Sequence, residues 1–498
     1  MCGIVGGFNL FDVINCSRAL QHRGQQGFGI GFFGNDNDIH VLRREGEVPQ
    51  ALWSIDLSDL QGSSFVTHTR YSTTGAGTLE NVQPVYRKNN FEFALVHNGN
   101  IVNMHEIERI TNRSYANLSD THAIADLIAQ SPRSTIEEAI QEACMQLRGS
   151  YNLLVLHNGN IHVIRDPHGF HPLQLGLSAK GEYLVASESY AFDFVGGKLL
   201  RDIHPGEYIV ISKDTCTPIT RFPRIRHPHI QLDIFELQYY ASPFSIIHGV
   251  HVGTARQLFG MYLVQETKAM HNLPPGTVVA PVPDSGNQVA LGMYKELLHS
   301  GFDVDYNPYL ISRSHTTYVH RAYIEPTVEQ RLQRIQEKYT VSEMHARGRN
   351  VLLGDDTIVG GLTSRFIANK AQAAGARSVS YGISAPPNVY PDVYGNDQYA
   401  RYTRKELIAH KHKGNEVAIA KEIGANNVWY LSLKASIRAI LDARALTRSM
   451  CTNLPPLDTQ DELNEHSFHT APYSGFYAEG TGDYPVKSLD LLPILQSM

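Results

Sequence analysis

The chain has 498 residues, 42% of them hydrophobic, enough to bury more than one core. Its 43 Lys and Arg against 49 Asp and Glu leave a formal net charge of −6, which argues against nucleic acid as a partner. No apolar run approaches the length of a membrane span, the first residues lack the basic region of a signal peptide, and five cysteines, an odd number, fit a reducing cytoplasm.

The chain opens Met1-Cys2-Gly3-Ile4-Val5-Gly6-Gly7. Loss of Met1 would place a thiol and an α-amine on one residue. The thiol titrates near ~8.5 and the amine near ~8, so the amine can take the thiol's proton without a histidine. N-terminal threonine nucleophiles use the same logic. Four short blocks follow: Gln21-His22-Arg23-Gly24, Thr67-His68-Thr69-Arg70, Val96-His97-Asn98-Gly99 after the apolar strand Phe93-Ala94-Leu95, and Leu118-Ser119-Asp120-Thr121. The last reads as an N-cap before a helix over 122–129. Chemically the blocks suit glutamine. The Arg70 fork fits an α-carboxylate, Asp120 an α-ammonium, and Asn98-Gly99 can aim two N–H donors at one oxygen. Taken singly, Asn98-Gly99 also reads as a hairpin turn, Asp120 as a cap alone and Arg70 as a surface charge. Taken with Cys2, they read as one site.

With these motifs the first ~230 residues resemble the class II glutamine amidotransferases, whose glutaminase domain is an N-terminal-nucleophile fold. The resemblance continues through Ile164-Arg165-Asp166-Pro167-His168-Gly169 and His204-Pro205-Gly206-Glu207. It implies that Cys2 attacks the glutamine amide and that Asn98 and Gly99 form the oxyanion hole. It also implies that Arg70 and Asp120 hold the amino-acid end and that Arg23 and Gly24 line the pocket.

Further on, Asn350-Val351-Leu352-Leu353-Gly354 reads as a buried parallel strand. It runs into Asp355-Asp356-Thr357-Ile358-Val359-Gly360-Gly361-Leu362-Thr363-Ser364, then a helix over 365–374 that ends at Gly375, a good C′ residue. Two acids, a Gly/Thr/Ser turn and a helix N-terminus suit a phosphosugar: N–H groups and hydroxyls for a phosphate, carboxylates for ribose hydroxyls or a hard metal. The same pattern also occurs as a plain acidic loop in doubly wound folds.

This block resembles the phosphoribosyl-diphosphate (PRPP) loop of type I phosphoribosyltransferases. With Phe235-Glu236-Leu237-Gln238-Tyr239-Tyr240, Val282-Pro283-Asp284-Ser285 and Glu406-Leu407-Ile408-Ala409, the whole is similar to the amidophosphoribosyltransferase family. The implied fold is an αββα glutaminase domain over residues 2–230, a Rossmann-like phosphoribosyltransferase domain over 231–450, and a loop-rich tail over 451–498 with a short helix at 488–496. The implied reaction moves ammonia from glutamine to PRPP, the committed step of purine synthesis. Asp355, Asp356, Gly361, Thr363, Ser364, Arg321 and Lys338 would bind PRPP, and Ser285, Asp355 and Asp356 would mark the Mg²⁺ site. Purine nucleotides as feedback inhibitors and a homodimer or homotetramer also follow from the resemblance.

The chain departs from the family pattern in places. Thr317, Gly360 and Ser242 stand where the family has arginines, Leu362 replaces a threonine and Phe244 an aspartate. The loss of three arginines removes positive charge near PRPP. The changes also fit a divergent paralogue acting mainly as a glutaminase or on another phosphoribosyl acceptor, or a non-catalytic sensor. Some relatives carry an iron–sulfur cluster on four cysteines; the matching positions here are Asp233, Asp392, His469 and Pro472, so no cluster is expected.

Overall fold

The computed structural model describes residues 1–71, 78–223, 229–313, 328–395, 399–403, 405–451, 454 and 462–486. Arg321, Thr317 and the helix expected at 488–496 lie outside them.

Two antiparallel sheets build the first half. Strand Gly3–Gly7 lies inside a seven-stranded sheet, between Tyr183–Ala186 and Gly62–Arg70. Its register sets Gly3 opposite Thr69 and Ile4 opposite His68, which brings Cys2 to the end of the strand that carries Arg70. Strand Glu92–Ile101 runs inside a six-stranded sheet, beside Gly149–His157. Side chains alternate along each strand, so Ile4, Val66, Val96, Leu154 and Val163 fill the layer between the sheets. Helix Leu10–Ala19 covers the outer face of one sheet. Helices Asp120–Gln130 and Ile136–Gln146 cover the other. Helix, sheet, sheet, helix is the expected αββα order.

The second half holds a five-stranded parallel sheet, ordered Val304–Tyr306, Thr277–Pro281, Asn350–Asp355, Ser378–Ile383, Asn427–Tyr430. A parallel sheet is covered on both faces, so its inner strands read as apolar runs. Leu352 accordingly packs with Phe259, Met293 and Ile440 on one face, and Val351 and Leu353 with Ile367 and Ile419 on the other. Strand Asn350–Asp355 delivers its two acids at the carboxyl end of the sheet, where doubly wound folds bind ligands.

The helix expected over 365–374 starts earlier, at Leu362–Ala373, after Gly361 at φ 74°. Thr363 and Ser364 therefore sit in its first turn, not in the loop. A first turn tolerates such residues because its N–H groups have no helical partner. Gly375 closes the helix at φ 86°, as expected. Helix Asp120–Gln130 likewise begins two residues before the expected 122, with Ser119 as its N-cap.

The described part of the tail ties the halves together. Phe468–His469 pairs in parallel with Leu232–Asp233, and Tyr473 donates to Gln238 at 2.5 Å. Asp483 N–H donates to Val102 O at 2.7 Å. The four positions that match cluster cysteines converge here: Asp233 lies opposite His469, His469 pairs with Asp392 at 3.1 Å, and the Pro472 carbonyl accepts from Val389 and Tyr390. No helix of the described residues is long and apolar enough to cross a membrane.

The halves also meet through a buried ion cluster. Arg23 bonds Glu188 at 2.5 Å and Glu236 at 2.7 and 2.9 Å, all three side chains fully buried. His22 reaches Glu188 at 2.9 Å and His171 reaches Glu236 at 3.3 Å. Burial opposes every charge here. His22 and Arg23 nonetheless hold the Glu188 carboxyl below the usual carboxylate range, and Arg23 and His171 do so for Glu236. Arg23→Met leaves two buried carboxylates without their cation and should cost about 3–5 kcal/mol, read as a lower urea midpoint. An unchanged midpoint would show the cluster to be dispensable. Because both folded carboxyls titrate low, their stabilisation is full above the unfolded value of about 4.3. It drains as pH falls toward about 2, the value to which Glu236 is pulled, so acid should lower wild-type Tm more steeply than that of Arg23→Met.

Candidate active site

Cys2 is half-buried at the head of its strand. Its Sγ accepts from the Tyr71 N–H at 3.4 Å and lies 3.5 Å from the Tyr71 carbonyl. Its own nitrogen donates to Asn98 Oδ1 at 3.0 Å. That contact leaves Asn98 Nδ2, buried and without a partner among the described residues. An idle buried donor costs about 1–3 kcal/mol, and beside a thiol it is what an oxyanion hole requires. The Met1 side chain is buried in the core of the second half.

Gly99 holds φ 150°, and a Cβ there would come 2.1 Å from the Ser150 carbonyl oxygen. The strand can pass its neighbour only with glycine. Gly99→Ala should therefore cost on the order of 1–3 kcal/mol from backbone strain alone, measurable by thermal unfolding. A stability equal to wild type would mean that the two strands part freely at this point.

Arg70 ends strand Gly62–Arg70, is buried, and donates to the Asn81 carbonyl. Burial lowers its pKa; the charges of Cys2 and Asp120 work the other way. Asp120 accepts the Ile101 N–H at 3.0 Å and lies 3.5 Å from His97 Nδ1. Burial pushes its carboxyl up, but His97 and the N–H groups of Ile101 and Thr121 hold it below the usual range. Cys2, Asn98, Arg70 and Asp120 thus come together from three strands and a helix. Sequence reasoning missed His97, which sits inside a quoted motif next to Asn98.

Arg23 needs a correction. It does not present its guanidinium to the pocket: Glu188 and Glu236 take the fork, and its Nε donates to the Cys2 carbonyl at 3.0 Å. It holds the Cys2 backbone instead. Gly24 packs against the Thr69 backbone, pressing the same turn onto the strand of Arg70.

A second site opens at the carboxyl end of the parallel sheet. It is a cavity of about 300 Å³ lined by Ser285, Lys338, Asp355, Asp356, Gly361, Thr363 and Ser364. Ser285 Oγ donates to Asp356, and Asp355 accepts the Asp356 N–H at 2.9 Å. Burial, and then the charge of Asp356, push the Asp355 carboxyl well above the carboxylate range. Gly360 and Leu362 also line the cavity. Ser242 and Phe244 do not belong to it, which corrects their expected effect. Ser242 N–H donates to Glu188 at 2.8 Å, and Phe244 is 65% exposed and stacks on Tyr190. The change at Ser242 bears on the ion cluster between the halves.

Residues 68–193 match a family model described as a glutamine amidotransferase domain. The amidophosphoribosyltransferase of Bacillus subtilis is 34% identical over 429 residues, covering 85% of each chain. That of Rhizobium etli is 35% identical, over 95% of this chain and 88% of its own. Among solved structures, the B. subtilis glutamine PRPP amidotransferase complexed with ADP and GMP superposes with a TM-score of 0.78 at 29% identity, covering 98% of both chains. With two sites of this chemistry on one chain and likeness along nearly its whole length, the chain belongs to the amidophosphoribosyltransferase family.

Proposed function

We propose that the chain transfers the amide nitrogen of glutamine to PRPP, giving 5-phosphoribosylamine, glutamate and pyrophosphate, the committed step of de novo purine synthesis. The observation that carries this reading is the pairing, in one chain, of a thiol site built from Cys2, Asn98, Arg70 and Asp120 with an acid-lined cavity at Asp355–Asp356. The family to which the chain belongs favours it over a glutaminase or sensor role.

In the first half-reaction, loss of Met1 turns the nitrogen that Asn98 Oδ1 holds into a free amine. The amine takes the thiol proton and Sγ attacks the amide carbon. Asn98 Nδ2 and Gly99 N–H receive the oxyanion, while Arg70 and Asp120 hold the α-carboxylate and α-ammonium. The C–N bond breaks, the amine returns its proton to the departing nitrogen, and ammonia leaves. Water then hydrolyses the thioester to glutamate. In the second, the ammonia lone pair attacks C1 of PRPP, the C1–O bond breaks, and pyrophosphate departs with the electron pair. Gly361, Thr363 and Ser364 cradle the 5′-phosphate, with Lys338 and Arg321 adding positive charge.

The donor set fits a hard divalent cation. Asp355, Asp356 and Ser285 offer only oxygens, and the unfavourable charge of the buried Asp355 is what a cation relieves. We infer Mg²⁺, which when bound would neutralise charge on the departing diphosphate. The B. subtilis structure is a complex with ADP and GMP, and purine nucleotides as regulators of this chain follow from the same reading. So do a cytoplasmic setting, a homodimer or homotetramer, and the division into 2–230, 231–450 and 451–498.

Cys2→Ala should abolish pyrophosphate release driven by glutamine and spare release driven by ammonium chloride. Equal loss of both would overturn the division of labour. Replacing Asp355 and Asp356 with Asn removes two charge-assisted contacts, each about 1.5–3 kcal/mol. The kcat/KM for PRPP should fall roughly a hundred-fold or more with either nitrogen donor. Near-normal turnover in the double variant would refute the phosphosugar assignment of this loop.

A further inference from the structure

PRPP brings several negative charges, yet the stretch from Asp355 to Ser364 carries no cation. Arg331, Lys338 and Lys405 line other parts of the cavity, and two further elements, helices Ile408–Lys411 and Glu416–Ile423, dock on the loop itself. The Val359 carbonyl accepts the Ile408 N–H at 2.9 Å, docking helix Ile408–Lys411 directly on the loop. A Cβ on Gly361 would stand 2.8 Å from Ile408 and 3.0 Å from Ile423, so the loop is pressed against both elements. Lys411, at the far end of the first, and Glu422, next to Ile423 on the second, line the cavity.

Glu422 gathers three basic side chains: Lys411 at 2.7 Å, His412 at 2.5 Å and Arg365 at 3.2 Å. Lys411 and Arg365 are 55% and 42% exposed. Ion pairs that open to water are weak, and Arg and Lys bind phosphate oxygens well. One carboxylate ringed by basic side chains on a cavity wall offers them the sign of charge and the oxygen contacts that a bound phosphate would.

We propose that Lys411 and Arg365 bind the terminal phosphate of the phosphosugar in this cavity, in addition to the cations already assigned to PRPP, that Glu422 holds them in place while the cavity is empty, and that the phosphate takes them from it. They replace, from outside the loop, the charge that Gly360 lacks. The inference rests on the assignment of this cavity to PRPP.

Two measurements separate the inference from that assignment. Calorimetric titration of ribose 5-phosphate reads the terminal phosphate alone. Lys411→Ala combined with Arg365→Ala should weaken binding ten-fold or more, whereas Glu422→Gln should tighten it by freeing both cations. PRPP-dependent pyrophosphate release with ammonium chloride should follow, with KM moving more than kcat and in opposite directions for the two variants. A merely structural cluster would move both variants the same way, with a matching fall in Tm. That result, unchanged affinities, or no binding of ribose 5-phosphate to wild type would overturn the proposal. Wild-type binding with the expected opposite shifts but no turnover of PRPP would uphold it and overturn the proposed reaction instead.

Discussion

The structure hangs on one buried guanidinium. Arg23 contacts the Cys2 carbonyl, Glu188 and Glu236 together. A planar fork with five donors can serve three acceptors at once; a lysine, with a single nitrogen, cannot hold the same geometry. Ser242 N–H and Ser245 Oγ also donate to Glu188, at 2.8 and 2.7 Å, so both carboxylates are well satisfied despite full burial. Glu236 opens the helical turn Glu236–Tyr240, and its neighbours Phe235 and Tyr239 line the second cavity. One side chain therefore fixes the backbone of the nucleophile relative to the wall of the other site.

The two sites are built on different terms. The first rests on strand register: Cys2, Asn98 and Arg70 sit where hydrogen-bonded ladders put them, and Gly99 is needed because the ladder leaves no room for a side chain. The second rests on loops at a sheet edge. Its acids sit at the end of an interior strand, while Lys411 on its wall and Arg365 beside Glu422 are exposed side chains from separate elements. A ladder holds backbone in place, and exposed cations remain open to a charged ligand that must enter and leave.

Residues whose chemistry is local were legible in the sequence. Cys2, Asn98-Gly99, Asp120 and the Asp355-Asp356 pair lie in short contiguous blocks, and the apolar runs Phe93-Ala94-Leu95 and Val351-Leu352-Leu353 marked two of the strands that carry them. Partnerships across long separations were not legible. Arg23 and Glu236 are 213 positions apart, so Arg23 read as a pocket residue when it is a structural cation. Ser242 looked like a lost PRPP contact for the same reason: its partner, Glu188, lies in the other half. The early start of helix Leu362–Ala373 was hidden because Gly-Gly before Thr-Ser has the composition of a loop, whereas Gly361 in the left-handed region lets the helix begin at once. Lys411 and Glu422 gave no motif at all. Only the docking of Ile408 and Ile423 on the loop brings them to the cavity.

The burial of Met1 has a consequence for the order of events during synthesis. Its side chain is 1% exposed, within a cluster that includes Leu237 and Tyr473, and its sulfur approaches Gly395. Those walls are translated hundreds of residues after Met1 leaves the ribosome. Once Tyr473 has docked, the Met1 side chain is covered by residues from the far end of the chain. While Met1 remains, the Cys2 nitrogen is an amide, which cannot serve as a base for its own thiol. Exposure of the Cys2 amine, which the proposed reaction needs, is therefore coupled to the assembly of the core of the second half.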